Sequence, residues 1–223
     1  VEQRALARLH PNGVVDTSFR PELDVNADVR AIAVTPVDGR IVVGGSFTQV
    51  GGTTRYYAAR LHTNGALDTD FDPDLDGNVE AIALDGGGGV LLGGSFSLVG
   101  WSGESAVDRV ALARFHANGD LDTDFDAQIV GFATVHAIAV QPDGRIVVGG
   151  DFTELGGVGG FDAIGRDGLA RLHANGDVDE TLANVALDGD VRAVVVEESG
   201  SLLVGGLFTN VGGEPRTYLA RIA

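Results

Sequence analysis

Apolar residues in this chain come in short bursts that alternate with polar positions and stop at Gly, Asn, Asp or Pro. Nothing sustains the spacing of an amphipathic helix, so the pattern predicts strands. VRAIAV (29–34) is matched by VEAIAL, VHAIAV and VRAVVV, and RIVVGGSF (40–47) by segments at 90–96, 145–152 and 201–208. A third segment carries Leu-Ala-Arg, and a fourth resembles LDTDF (67–71). All are rich in β-branched or aromatic residues, which suit a pleated, half-buried surface.

These segments repeat as a block. The third-segment Arg falls at 8, 60, 114, 171 and 221, in steps of 52, 54, 57 and 50 residues, and GG-x-Phe ends at Phe47, Phe96, Phe152 and Phe208. Four strands per unit of about 53 residues is the arithmetic of a propeller blade. The predicted fold is all-β: one β-propeller domain over residues 1–223, with four blades of four antiparallel strands. A solenoid would need a shorter coil, and a sandwich would not repeat this faithfully.

The turns fix the register. HPNG, HTNG, HANG and HANG join the third and fourth strands. Read as three-residue loops closing on a left-handed Gly, they place Arg8 opposite Asp16, Arg60 opposite Asp68, Arg114 opposite Asp122 and Arg171 opposite Asp179. The chain starts with third and fourth strands and finishes with first, second and third. The N-terminal VVDTSF is therefore expected to complete the last blade, which leaves one third strand surplus. Either that strand lies outside the ring or the chain is part of a larger propeller or assembly.

Composition narrows the function. The 223 residues carry a net charge of −17, from 32 acids against 15 bases, all of them Arg. A surface this acidic cannot release a nucleic acid's counterions, so nucleic acid is excluded as a partner. There is no Cys and hence no disulfide or thiolate metal site. No apolar run reaches the length of a membrane helix, so membrane insertion is not expected. The Arg-only, Ala/Gly/Val/Asp-rich composition reads as GC-rich bacterial coding, and the absent initiator Met as a processed or excised chain.

With DTDF, VHAIAVQPDGRIVVGGDFT and LARLHANGDVD in view, the chain resembles the delta-60 repeat β-propeller family, found mainly in large bacterial surface and secreted proteins. The resemblance covers essentially the whole chain. GGGG (86–89) and ESGS (198–201) depart from PDGR, and Glu180-Thr181-Leu182 lacks the fourth-strand Phe. The resemblance implies an extracellular or cell-surface location and no catalytic residues.

Three places could carry function. The connections between second and third strands vary in length and sequence, and loops on a rigid scaffold are where binding residues concentrate. Their rim would present Tyr56, Trp101, Glu104, Asp108, Arg109, Phe161, Asp162, Arg166 and Tyr218 to a protein or glycan, although Trp101 could equally fold back over a blade edge. The second is Asp72, Asp74, Asp76 and Glu80. Acids at positions one, three, five and nine with Gly77 at six match the start of a calcium loop, but position twelve is Ala83, so the bidentate Glu is missing. Calcium is the one candidate cofactor. The third is the channel mouth, where Arg30, Glu80, His136 and Arg192 are polar among apolar neighbours and either pair with one another or form a site.

The repeated His10, His62, His116 and His173 cannot share a metal, because strands about 4.8 Å apart put the third strand too far from the axis. No nucleophile motif and no phosphate-cradling loop is present. The expected function is a non-catalytic extracellular adhesion, binding or scaffolding module. The alternatives are a propeller lyase or hydrolase acting through Glu80 and His136, or a structural spacer in a larger surface assembly.

Overall fold

The computed structural model describes residues 5–24, 27–157 and 162–223. Among these there is no helix, and none therefore long and apolar enough to cross a membrane. Blade one contains β1 (Asp28–Val34), β2 (Ile41–Ser46), a rim hairpin of β3 (Gln49–Val50) and β4 (Thr53–Thr54), then β5 (Ala58–Leu61) and β6 (Leu67–Asp68). Its sheet order is β1-β2-β5-β6. Blade two follows as β7 (Val79–Leu84), β8 (Val90–Gly94), the rim pair β9 (Leu98–Val99) and β10 (Val107–Asp108), and β11 (Leu112–Phe115). Blade three has β12 (Val135–Val140), β13 (Ile146–Gly150), β14 (Glu154–Leu155), β15 (Ile164–Gly165) and β16 (Leu169–Leu172). Blade four has β17 (Val191–Val196), β18 (Leu202–Gly206), β19 (Asn210–Val211), β20 (Glu214–Pro215) and β21 (Leu219–Ile222). In blades two and three the fourth strand shrinks to single bridges, Phe115 to Leu121 and Leu172 to Val178.

The Asn-Gly turns close as the register requires. His62 N–H donates to the Ala66 carbonyl at 2.8 Å, and Gly65 takes a left-handed φ of 90°. All four cross-strand ion pairs then form. Arg Nε lies 2.8, 2.6, 2.8 and 2.7 Å from a carboxylate oxygen of Asp16, Asp68, Asp122 and Asp179. The Arg8, Arg60 and Arg114 guanidinium groups also lie over Phe19, Phe71 and Phe125, at 4.9, 5.1 and 4.5 Å. Leu182 replaces that Phe in the fourth copy, so Arg171 turns to the Thr181 hydroxyl at 2.9 Å.

The Gly-Gly pair in each second strand has two separate jobs. Its first residue admits the next blade: a Cβ on Gly93 or Gly149 would meet Val135 or Val191 at 2.7 or 2.5 Å, and one on Gly44 would meet Val79. Its second residue admits the neighbouring strand, since a Cβ on Gly45, Gly94, Gly150 or Gly206 would strike the carbonyl of Asp28, Asn78, Thr134 or Asp190. The apolar core consequently divides into clusters that span blade boundaries. One joins Val42 and Ala58 of blade one to Val79, Val90 and Leu92 of blade two, and others repeat this for each later pair.

The blades form an open arc. β1 packs on β7, β7 on β12 and β12 on β17, but no comparable contact joins β17 to β1. The N-terminal segment, expected to complete the last blade, instead forms its own hairpin with Leu9 bridged to Val15. It stands beside blade one, where Phe19 joins the cluster of Ile41, Val43 and Phe47, and Arg8 donates to the Thr63 carbonyl. Arg60 does the same toward blade two, reaching the Ala117 carbonyl at 2.7 Å. Among the described residues, no strand pairs with the outer edge of β21.

Candidate functional site

The rim and the channel mouth lie on the same face, because every inner strand begins there. Each inner strand pairs with its neighbour through one register shift, between Val29 and Ala31, Val79 and Ala81, Val135 and Ala137, and Val191 and Ala193. The skipped residues are Arg30, Glu80, His136 and Arg192. A bulge leaves one residue out of the ladder and re-aims its side chain, so the second Gly of each pair and the polar residue opposite it form one device.

The charges at the mouth are largely paired. Arg30 donates to Glu80 and, at 2.9 Å, to Asp28, while Arg192 pairs with Asp190 at 2.8 Å. His136 is half-buried. Burial and the Arg192 guanidinium hold its pKa below the usual imidazole value, against the pull of Asp151, Glu80 and Asp190. The neutral imidazole is thus the favoured form.

The variable loops are preformed hairpins. In blades one, two and four the incoming connection pairs with the rim hairpin, as Leu23 with Val50, Leu75 with Val99 and Leu187 with Val211. An Asp at the end of that connection caps the hairpin: Asp76 accepts from Ser97 and Leu98 N–H at 2.7 and 2.9 Å, and Asp188 from Thr209 and Asn210 N–H at 2.6 and 2.8 Å. Blade three has Val130 at this position and is held by backbone bonds instead, Val130 N–H to the Glu154 carbonyl at 3.1 Å and Gly156 N–H to the Ala127 carbonyl at 3.2 Å.

This rim brings Tyr56 and Trp101 together from adjacent blades. Their rings meet edge to face, with centroids 5.6 Å apart and planes at 64°, and Tyr57 lies 6.4 Å from Tyr56. Trp101 remains 43% exposed. Its backbone is held by the Asp74 carbonyl at 3.0 Å, and the Asp74 carboxylate accepts from the Ser102 hydroxyl at 2.6 Å. Glu104 and Asp108 are exposed on the same loop, and Asp162 and Tyr218 are exposed on theirs. Phe161 lies outside the described residues.

Arg109 and Arg166, read from the sequence as rim residues, are buried. Arg109 holds the Asp108 and Thr123 carbonyls at 2.7 and 3.1 Å and pairs with Asp126 at 3.4 Å, and Arg166 holds the Gly165 carbonyl at 2.8 Å. Both belong to a repeated set, Arg55, Arg109, Arg166 and Arg216, each of which bonds the carbonyl of the residue before it, while Arg55 and Arg109 also reach the Thr69 and Thr123 carbonyls. The signal was legible: each stands five residues before a third-strand Arg.

The four candidate calcium ligands are not brought together. Asp72 pairs with Arg55 at 2.8 Å, Asp74 with Ser102, Asp76 with backbone N–H groups and Glu80 with Arg30. Among the described residues, no group of three acidic or His side chains converges as a metal site would require. Sequence reading missed one further feature, a groove of about 270 Å³ between blades three and four that Asp151, Asp167, Asp188 and Asp190 line.

Comparison with known proteins agrees with the architecture. The sequence model of the family described as Domain of unknown function (DUF5122) beta-propeller matches residues 1–19, 38–71, 88–125, 141–182 and 198–223. No curated protein matches the chain. Among solved structures, the WD40 β-propeller domain of Doa1 is similar at 13% identity and a TM-score of 0.57, covering 89% of this chain and 51% of that one. A chain of the nidogen/laminin complex is similar at 17% identity and a TM-score of 0.54, covering 91% and 66%. The extracellular domain of a putative hybrid two-component system from B. thetaiotaomicron is similar at 12% identity and 0.53, covering 94% and 23%. The chain therefore spans about half of the first of these, two thirds of the second and under a quarter of the third.

Proposed function

This chain belongs to the DUF5122 β-propeller family, and from that premise we propose that it is a non-catalytic binding or scaffolding module of an extracellular or cell-surface protein, with the rim as its ligand face. The repeat motifs favour the delta-60 type within that family. The observation that carries the reading is the Tyr56–Trp101 pair, two aromatic rings from different blades held half-open on preformed hairpins. Rigid, partly exposed aromatics supply contact area at low entropic cost, and paired rings suit the apolar face of a sugar or an interfacial side chain. Exposed Glu104 and Asp108 add polar partners beside them. The similarity to the extracellular domain of a putative hybrid two-component system supports the same setting, and the similarity to a chain of the nidogen/laminin complex supports a binding role.

The test uses the single Trp of the chain. A glycan array probed with the labelled protein identifies candidates, and titration of each hit should move Trp101 emission saturably. Tyr56→Ala and Trp101→Ala should each abolish array binding. Hits that bind both variants as well as the parent would sink the reading.

A second reading is a lyase or hydrolase with its site at the channel mouth. His136, held neutral there, is the observation in its favour. Against it, Glu80, the acid–base partner read from the sequence, is bonded to Arg30. Turnover of a substrate that His136→Ala eliminates would establish it.

A further inference from the structure

We propose that the face opposite the rim carries a binding site for a small molecule with an apolar body and a primary ammonium group, built where the inner strands of blades one, two and three end. The site shares no residue with the rim and does not depend on the reading given for it.

The place is a depression of about 560 Å³, within the range of small-molecule sites. Val34, Leu84 and Val140, the last residues of β1, β7 and β12, form its walls, and Pro36 and Pro142 border it. Its polar groups are Asp85 and Gln141, each one residue beyond the strand end in blades two and three.

That position recurs in every blade, and the other three copies spend its side chain on the protein. The Thr35 hydroxyl donates to the Arg40 carbonyl at 3.1 Å, Asp85 Oδ1 accepts from Gly87 and Gly89 N–H at 2.9 and 2.7 Å, and Glu197 accepts from Arg221 at 2.7 Å. Gln141 is only 9% exposed, yet its Oε1 is enclosed without a hydrogen-bond partner. The turn sequences explain the difference. GGGG (86–89) holds no side chain to cap its turn, so Asp85 does it. In blade three Asp143 caps the turn, accepting from Arg145 N–H at 3.1 Å, and the Gln141 amide is left without a task. An enclosed polar atom with no partner is uncommon in a folded protein and points to a partner from outside the chain.

The chemistry of that partner follows from what the depression offers. Gln141 Oε1 is an acceptor, and so is Asp85 Oδ2, which has no protein partner among the described residues. The arginines of the flanking turns are already taken, Arg40 by Asp38 and Asp68 and Arg145 by Asp143 and Asp179. An ammonium group brings three donors and a positive charge to a chain whose net charge is −17. The Val, Leu and Pro walls suit a hydrocarbon body.

Calorimetric titration of the 223-residue chain with cyclohexylmethylamine, at constant pH and ionic strength, tests the site, and cyclohexylmethanol is the uncharged control. The amine should bind, and the alcohol should bind about tenfold more weakly or worse. Gln141→Leu removes the orphaned oxygen at similar volume, so without ligand it should unfold no earlier than the parent, and it should lose about tenfold in amine affinity. Asp85→Asn keeps an oxygen for the turn and should bring the amine down to the affinity of the alcohol. Tyr56→Ala and Trp101→Ala should leave the titration unchanged, which separates this site from the rim. An amine that gives neither heat nor a rise in unfolding temperature would overturn the inference, as would equal binding of amine and alcohol, or of the amine to parent and Gln141→Leu. A Gln141→Leu chain that unfolds earlier without ligand would overturn it too, because ordered water would already serve the amide.

Discussion

Gly93 and Val135 touch across the boundary between blades two and three, where a Cβ on the glycine would lie 2.7 Å from Val135 Cγ1 and 2.9 Å from Ile138 Cδ1. Gly93→Ala therefore forces the buried Val135 and the partly buried Ile138 aside and should cost about 1–3 kcal/mol, the range for overpacking a tight core. Gly94→Ala should cost more, because its Cβ would strike the Asn78 carbonyl rather than a side chain that can turn. Gly205→Ala, where a Cβ would meet nothing nearer than 3.6 Å, should lie within about 0.5 kcal/mol of the parent. Urea midpoints of the three variants check the order, and equal losses at Gly93 and Gly205 would contradict it.

Arg60 and Asp68 form the most enclosed of the cross-strand pairs, each only 2% exposed. Burial alone would push the Asp68 carboxyl up, but the Arg60 hydrogen bond and the Asp70 N–H bring it below its ordinary value. Arg60→Ala leaves that carboxylate to Arg40, at 3.0 Å, and to the Asp70 N–H, and also removes the tie to Ala117 in the next blade, so it should cost about 1.5–3 kcal/mol. Arg221→Ala, at the exposed equivalent in blade four, should change stability by no more than about 0.5 kcal/mol. Thermal or urea unfolding of the pair separates a buried ion pair from the same residue in a solvated setting.

That contrast marks what the sequence could and could not reveal. The Asn-Gly turns set the register within a blade, so the Arg–Asp pairs could be placed from the turn alone. The angle between blades depends on how Val79, Val135 and Val191 seat against glycines one repeat earlier, and no spacing within a repeat encodes it. The repeat count therefore leaves open whether the blades close into a ring. Arg109 and Arg166 were assigned to the rim because they follow loops of variable length. Their burial comes from carbonyls that only the folded loop presents. Tyr56 and Trp101 were each legible as rim aromatics, but their meeting across two blades was not.

His136 links stability to pH. Its folded-state pKa lies below the ordinary 6.5, through burial first and Arg192 second, with Asp151, Glu80 and Asp190 opposing. As pH falls through that ordinary value the unfolded chain takes up the proton first, so stability is full above it and declines until the folded imidazole also titrates. Asp16, Asp179 and Asp188, whose hydrogen bonds hold their carboxyls well below the usual range, act only in more acidic solution. Urea midpoints measured from about pH 8 to about pH 5 should therefore fall for the parent and fall less for His136→Gln. Parallel profiles would show that the imidazole carries no linkage.

Calcium should leave this protein unmoved, because each candidate carboxylate is already held by a different protein partner. The Asp76 carboxylate accepts from two backbone N–H groups, the Asp74 carboxylate from the Ser102 N–H and hydroxyl, and Asp72 and Glu80 are drawn to different arginines. An ion that drew these four carboxylates together would disturb the cap of the β9–β10 hairpin and the Arg30–Glu80 pair. A ligand that favours the folded state raises its stability in proportion to the logarithm of its concentration over its dissociation constant. Millimolar calcium and excess chelator should then give the same unfolding temperature, and Asp74→Asn should lose stability equally in both. A rise in that temperature with calcium, abolished by Asp74→Asn, would show that the hairpin rearranges around the ion.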